Sequence, residues 1–186
     1  TSRAFLDKLA ENGIKAIVSF PNYDDRSVSG PDISRGTYKN YIQAYKNHPA
    51  ILMWEFGNEY NYHPEWFNND IRQWYQILEQ AARTAKQIDP SRKVTTAHGE
   101  VPTADIIKSV PSVDVWGINV YRHSDPTAIY DQWAGLLRDR NIPDHLQMYI
   151  SETGTDAYDS IHNREDQGNQ AETIRQIWER MMEKVD

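Results

Sequence analysis

The chain has 186 residues, which suits one domain with a sizeable core, and we take residues 1–186 as a single domain. Its net charge of −7, from 20 basic and 27 acidic residues without a basic cluster, excludes binding to a nucleic-acid backbone. The lack of cysteine excludes disulfides and thiol chemistry.

The first half of the chain alternates short apolar runs with amphipathic segments, which predicts strands and helices in turn. Residues 50–54 form an apolar run that begins after Pro49 and ends before Gly57, as expected of a buried parallel strand. Apolar residues across 67–88 recur at steps of four and three, which is typical of a helix. In order, we predict a helix at 2–12, a strand at 14–20, a loop at 21–31, a helix at 35–47 capped by Ser34, a strand at 50–59, a loop at 60–66 and a helix at 67–88.

The second half continues the same alternation. Asp125 and Pro126 suit the cap and first position of a helix that runs to about residue 140. The other predicted elements are a strand at 94–97, a helix at 103–110, strands at 113–120 and 147–151, a polar loop at 153–168 and a last helix whose buried face carries Ile174, Ile177, Trp178 and Met181.

An opening helix followed by five strand–helix pairs predicts an α/β fold with a parallel sheet and right-handed crossovers. No glycine-rich phosphate loop follows a strand, which argues against a nucleotide-binding sheet. If this sheet belongs to a parallel (β/α) TIM-barrel type of fold, as the resemblance described below implies, it is incomplete, with about five βα units, because a full barrel takes about 250 residues. Such a piece leaves two sheet edges exposed, so we expect the remainder of a longer catalytic domain or a second chain to cover them.

Two glutamates lie just past apolar strands, at the ends where parallel sheets place their chemistry. Glu59 follows one such strand and Glu152 another. Alternation puts Glu59 on the same face as Glu55 if the strand stays regular, and Tyr121 on the same face as Asn119. Two carboxyl groups from separate strand ends suit acid–base and nucleophilic work on one bond.

Three stretches resemble the signatures of the clan A retaining glycoside hydrolases. WEFGNE at 54–59 resembles the acid/base strand, YISETG at 149–154 the nucleophile strand and VWGINVY at 115–121 the sixth strand. The resemblance is greatest to the catalytic barrel of family 2, followed by family 5-like and glucanosyltransferase-like barrels. It runs from about residue 16 to residue 178 and matches the predicted strands to strands three to seven, with strands one, two and eight absent.

This resemblance implies a retaining double displacement on a β-linked glycoside or polysaccharide, with Glu59 as acid/base and Glu152 as nucleophile. It implies that Asn58 binds the sugar 2-hydroxyl and that Tyr121 hydrogen-bonds Glu152, which favours the ionised carboxylate. It implies a carbohydrate ligand and no cofactor.

Aromatic residues follow Glu59 in the predicted loop at 60–66. Tyr60 and Trp66, together with Tyr62 and His63, are expected either to form a platform for sugar rings or to cap the barrel. We include Tyr60 and Trp66 among the candidate substrate-binding residues.

Two further polar residues are singled out. His98 follows the strand at 94–97 and is expected to hydrogen-bond substrate or Glu59. Glu55 is expected to be buried and paired with a base, because burial of an unpaired charge is costly. The histidines are scattered, so no metal site is expected, and the lack of a Gly-x-Ser-x-Gly elbow argues against a serine hydrolase.

Two alternative functions stay open. A transglycosidase would use the same two carboxylates with a sugar as acceptor, and a carbohydrate-binding or scaffold protein would keep the barrel without turnover. No apolar stretch is long enough to span a bilayer, so no membrane partner is expected. No signal-peptide pattern is present, and the composition is compatible with a secreted or periplasmic location as well as with others.

Overall fold

The structure is a computed structural model, and it describes residues 1–22, 30–122, 125–139 and 141–184. Its main elements follow the predicted alternation. In chain order they are α1 (Arg3–Glu11), β1 (Ala16–Phe20), α2 (Tyr38–Tyr45), β2 (Ile51–Asn58), two 3₁₀ turns (Tyr60–Tyr62 and Pro64–Phe67), α3 (Arg72–Ile88), β3 (Lys93–Gly99), α4 (Ala104–Ser109), β4 (Val115–Asn119), α5 (Ala128–Leu136), β5 (Gln147–Glu152), the short strands β6 (Tyr158–Asp159) and β7 (Arg164–Glu165), and α6 (Gln167–Met182).

The five long strands form one sheet in the order β1-β2-β3-β4-β5, and every neighbouring pair is parallel. A helix follows each strand, and the first four of these helices lead back to the start of the next strand. This is the repeating unit of a (β/α) barrel, so the predicted parallel sheet with five βα units is confirmed. The carboxyl ends of all five strands consequently lie along the same side of the sheet, with β1 and β5 at its two edges.

Two predicted helix starts are shifted because residues before the helix form local turns. The Ser34 hydroxyl donates to the Asp32 carboxylate at 3.0 Å instead of capping a helix, and α2 begins only after this turn. Asn68 and Asn69 have left-handed backbones with φ of 53° and 57°, which separate the second 3₁₀ turn from α3. Asparagine is among the residues that adopt this conformation most readily.

Asp125, predicted to cap a helix, instead forms a local turn before the helix. Its carboxylate accepts hydrogen bonds from the backbone N–H and hydroxyl of Thr127, at 2.9 and 2.6 Å, and α5 begins after them. The predicted helix end at residue 140 lies outside the described residues. The predicted loop at 153–168 contains a small antiparallel hairpin, β6–β7, that polarity alone did not indicate.

The core lies between the sheet and the helices and is rich in aromatic side chains. Trp54 of β2, Trp74 of α3 and Trp116 of β4 are all buried there. The Trp54 indole N–H donates to the buried carboxylate of Asp89 at 2.9 Å, and Asp89 also pairs with Arg92. Packing of the helices against the sheet therefore uses several of the rings, as expected of large apolar side chains.

The last helix is less buried than its sequence predicts. Ile177 of α6 is buried, but Trp178 is 63% exposed and Ile174 is also exposed, so the predicted burial of these two residues is wrong. The reason is that β5 is an edge strand, and no further strand of the described chain lies beyond it to receive this face. None of the described helices combines the length and the apolar character needed to cross a membrane.

Candidate active site

The end of β2 is irregular, and this irregularity sets the direction of its last side chains. Gly57 and Glu59 have left-handed backbones with φ of 72° and 55°, and the register with β3 shifts between Glu55 and Asn58. Glycine suits position 57 doubly, because a Cβ there would lie 2.5 Å from the Trp74 ring. The expectation of regular alternation through Glu59 is therefore wrong.

Asn119, at the end of β4, connects the ends of three strands. Its Nδ2 group donates to the side-chain oxygens of Asn58 and Glu59, both at 3.1 Å, and its Oδ1 accepts from the Ser151 hydroxyl at 2.6 Å. Asn119 is 2% exposed, whereas its partner Asn58 is exposed, so these bonds connect the buried end of β4 to the open side of the site. Sequence reasoning placed Asn119 on the same face as Tyr121 but did not select it as a site residue; that shared face was the available signal.

Glu152 lies on the other side of Asn119. It is the last residue of β5, and its register partner on β4 is Asn119. The Tyr121 hydroxyl donates to the Glu152 carboxylate at 2.9 Å. This hydrogen bond is the main reason why the pKa of Tyr121 lies above its ordinary value, and the charges of Glu59 and Asp156 also contribute. Glu59 and Glu152 therefore act on the same tyrosine, at the same end of the sheet.

Glu55 lies deeper on the inner face of the sheet. The Tyr149 hydroxyl donates to its carboxylate at 3.2 Å. Burial raises the pKa of Glu55, the hydroxyls of Ser19 and Tyr149 oppose this shift, and the charge of Glu152 adds to it. The expected pairing with a base is therefore wrong, because the partners of Glu55 are hydroxyl groups and its charge is opposed by desolvation.

The two aromatic residues selected from the loop after β2 have different environments. Tyr60 is buried against Trp74, with ring centroids 4.6 Å apart, and its hydroxyl accepts from the Asn22 backbone N–H at 2.9 Å. The expectation that Tyr60 contacts substrate is therefore wrong, because its ring packs into the core. Trp66 is 58% exposed and stacks on His63 with ring centroids 3.9 Å apart.

A second exposed ring lies closer to the strand ends. Tyr62 is 52% exposed, and it packs so closely over Gly99 that a Cβ at Gly99 would overlap its ring. Asn61 fixes this arrangement, because its side chain donates to the Gly99 carbonyl and accepts from the Gly99 N–H, both at 2.9 Å. Beside this ring, Arg122 forms an ion pair with Glu100. The sequence indicated an aromatic loop here but gave no sign of the ion pair.

His98 does not face this site. Its Nε2 lies 3.0 Å from the Tyr75 hydroxyl of α3, its Nδ1 lies 2.8 Å from the Glu100 carbonyl oxygen, and its ring contacts Trp116. Burial lowers the pKa of His98. The expectation that His98 binds substrate or Glu59 is therefore wrong, because β3 presents this side chain to the helix layer.

Two carboxyl groups, a bridging amide and a tyrosine hydroxyl thus meet at the carboxyl end of the sheet. Carboxyl groups so placed can exchange a proton and form a bond to carbon. Among the described residues, no group of three or more histidine, aspartate or glutamate side chains is arranged to hold a metal ion.

Comparison with known proteins gives the same fold. Residues 29–173 match the model of the glycosyl hydrolases family 2, TIM barrel domain. A β-glucuronidase from Paenibacillus borealis is 28% identical over 120 residues, which cover 60% of this chain and 19% of that protein. The chain therefore spans about a fifth of the length of this relative.

Solved structures agree with this match. A glucosidase from Croceicoccus marinus superposes with a TM-score of 0.69 at 17% identity, over 96% of this chain and 42% of that chain. Bacteroides uniformis β-glucuronidase 2, covalently bound to cyclophellitol-6-carboxylate aziridine, superposes with a TM-score of 0.68 at 16% identity, over 98% of this chain and 24% of that chain. At this level of identity the similarity establishes the fold.

Proposed function

Because the chain belongs to the TIM-barrel domain of the family 2 glycosyl hydrolases, we propose that the protein containing it is a retaining β-glycosidase and that this chain supplies both catalytic carboxyl groups. Glu59 is the acid/base and Glu152 the nucleophile. The observation that carries this proposal is Asn119, which holds Glu59 by a hydrogen bond of 3.1 Å while it is the register partner of Glu152. A retaining mechanism needs two carboxyl groups about 5–5.5 Å apart on the two sides of one bond.

In the first step Glu152 attacks the anomeric carbon and Glu59 gives its proton to the leaving oxygen. The Tyr121 hydroxyl occupies one oxygen of Glu152, Oε2, and so leaves the other available for attack.

In the second step Glu59 takes a proton from water, which attacks the glycosyl-enzyme and releases the sugar with its configuration retained. Asn58 supports both steps. The side-chain oxygen of Asn58 accepts from Asn119, so the amide nitrogen of Asn58 points away from Asn119. We assign this nitrogen of Asn58 to the sugar 2-hydroxyl. Hydrogen bonds to the 2-hydroxyl strengthen in the transition state of such reactions.

The substrate class follows from the family alone. The relatives named above include β-glucuronidases and a glucosidase, so a β-linked glycoside with a glucuronic acid or glucose residue is the first substrate to test. Trp66, exposed in the second 3₁₀ turn, remains a candidate for contact with a longer substrate. We propose that the rest of the barrel, supplied by a longer catalytic domain or a second chain, completes the sugar site.

The experiment is covalent trapping of the nucleophile. The full natural protein that contains this chain is incubated with 2,4-dinitrophenyl 2-deoxy-2-fluoro-β-glucoside and with its glucuronide counterpart, then digested for peptide mass spectrometry. We expect a stoichiometric sugar label on Glu152. A label on Glu55 or Glu59 would refute the assignment of Glu152 as nucleophile. Binding of the sugar without any covalent label would refute the enzyme and favour a carbohydrate-binding barrel.

A transglycosidase would give the same label, because it uses the same two carboxylates. Product analysis at high concentrations of an acceptor sugar separates the two enzymes: a hydrolase releases mainly free sugar, whereas a transglycosidase forms mainly the new glycoside.

A further inference from the structure

We propose that Tyr62, together with the Glu100–Arg122 ion pair, forms the subsite for the leaving group and that this subsite takes a neutral sugar ring. The inference rests on the proposed function, because it depends on Glu59 as the proton donor. It adds the substrate class on the far side of the scissile bond: a saccharide rather than a small alcohol.

The position of Tyr62 is fixed by backbone and side-chain bonds. Its backbone N–H donates to the Glu59 carbonyl at 3.0 Å, so the 3₁₀ turn that carries Tyr62 is hydrogen-bonded to Glu59 itself. Asn61 then binds both polar backbone groups of Gly99, which places the Tyr62 ring over the end of β3. A ring held in this way loses little freedom when a ligand packs on it, which favours binding.

The free face of this ring has the right chemistry for a sugar. Large aromatic rings that are half exposed beside a polar site commonly mark a binding surface, and the C–H groups of a pyranose pack well on such a face. Burial of part of the side chain, followed by the charges of Glu100 and Glu59, raises the pKa of Tyr62. Its hydroxyl therefore stays protonated and can donate a hydrogen bond.

The ion pair beside the ring indicates a neutral ligand. Arg122 binds Glu100, and its guanidinium also donates to the Gln132 side chain at 3.2 Å, so both charged groups have polar partners in place. Their charges cancel, while their unused donors and acceptors can bind sugar hydroxyls. The pair therefore offers no uncompensated charge that would favour an ionic ligand over a neutral one.

The side of the scissile bond follows from the proton transfer. Glu59 protonates the oxygen of the leaving group, so the leaving group must lie against Glu59. Tyr62 lies on that side, since its backbone N–H donates to the Glu59 carbonyl at 3.0 Å. Tyr121, by contrast, is hydrogen-bonded to Glu152.

The test compares leaving groups in the full natural protein. The first substrate is β-glucosyl fluoride or β-glucuronosyl fluoride, whose leaving fluoride ion is too small to reach Tyr62. The second is a disaccharide in which the same glucosyl or glucuronosyl residue is β-1,4-linked to glucose, so that glucose is the leaving group. We expect Tyr62→Ala to lower the ratio of kcat/KM for the disaccharide to kcat/KM for the fluoride by about tenfold. Tyr62→Phe, which keeps the ring and removes only the hydroxyl, should lower the ratio much less than Tyr62→Ala.

Each result has a defined meaning. An unchanged ratio in Tyr62→Ala, whether both values fall together or neither falls, would overturn the subsite and leave the proposed function standing. Preference for a uronic acid over glucose as the leaving sugar would overturn the neutral-ligand assignment. Failure of the wild type to cleave either fluoride would overturn the proposed function, and this inference with it.

Discussion

Asn119 of β4 donates a hydrogen bond of 3.1 Å to Glu59, the residue directly after β2, although β3 lies between the two strands. The bond therefore crosses the carboxyl end of a whole strand. The left-handed turn at Gly57 and Glu59 brings the β2 side chains within reach of this amide. A buried amide whose donors and acceptor are all used holds its partners in one geometry.

Removal of this amide should reduce catalysis more than binding. We expect Asn119→Ala to lower kcat by about 10- to 100-fold with a small change in KM, because the lost contact orients the proposed acid/base in the transition state. Steady-state kinetics on an aryl β-glycoside measures the effect. Asn40→Ala, at an exposed position of α2, is the matched control and should behave as the wild type. A rise in KM alone would show that Asn119 contributes to binding rather than positioning.

The proposed acid role of Glu59 predicts a dependence on the leaving group. Glu59→Ala should lower kcat/KM for a methyl or sugar leaving group by about 10²- to 10⁴-fold, because these groups need a proton to depart. Cleavage of a 2,4-dinitrophenyl glycoside should be far less affected at the first step, since dinitrophenolate leaves without one. Equal losses for both substrates would exclude general acid catalysis by this residue.

The burial of Glu55 predicts a pH dependence of stability. Its folded-state pKa is raised, so the protonated form is favoured by folding, and stability is lost as pH rises from the ordinary value of 4.5 through the folded-state value. Glu55→Gln should therefore raise Tm relative to the wild type at pH 7.5 and much less at pH 4. Thermal unfolding at both pH values tests this. Glu165→Gln, an exposed residue of β7, is the control, and a pH-independent difference for Glu55→Gln would contradict the prediction.

His98 should affect stability and not the chemistry. Burial lowers its folded-state pKa, so its contribution to stability is present above the ordinary value of 6.5 and is lost as pH falls below it. We expect His98→Phe to destabilise the protein by about 1–3 kcal/mol at pH 7.5, because the Tyr75 hydroxyl loses its partner. The pH profile of kcat should keep its midpoints. A shifted midpoint would place His98 in the site after all.

The sequence was most informative where burial and function coincide. An apolar strand that ends in a polar residue identified Glu59 and Glu152, and the alternation on β4 placed Tyr121 beside Glu152, as its hydrogen bond of 2.9 Å shows. The parallel α/β fold and the family followed from the same strands and are confirmed. The roles assigned to the four selected strand-end residues remain predictions, as does the assignment of the chain to a single domain. These residues are Asn58, Glu59, Tyr121 and Glu152.

The errors arose where a local feature depends on distant packing. His98 was misplaced because its position at the end of a strand does not tell which face it occupies. Tyr60 was misplaced because the 3₁₀ turn directs its ring onto Trp74, which lies on a different element. The role of Asn119 depends on the turn at Gly57, and no periodic pattern reports such a turn.

The left-handed backbone at Glu59 carries a consequence for evolution and engineering. In this conformation a residue with a Cβ lowers the free energy of unfolding by about 1–2 kcal/mol relative to glycine. Replacement of Glu59 by glycine should therefore yield a protein that melts at a higher temperature than Glu59→Ala, while both lack the proposed acid/base. Selection for catalytic activity therefore retains Glu59 at this position, where selection for thermal stability alone would favour glycine.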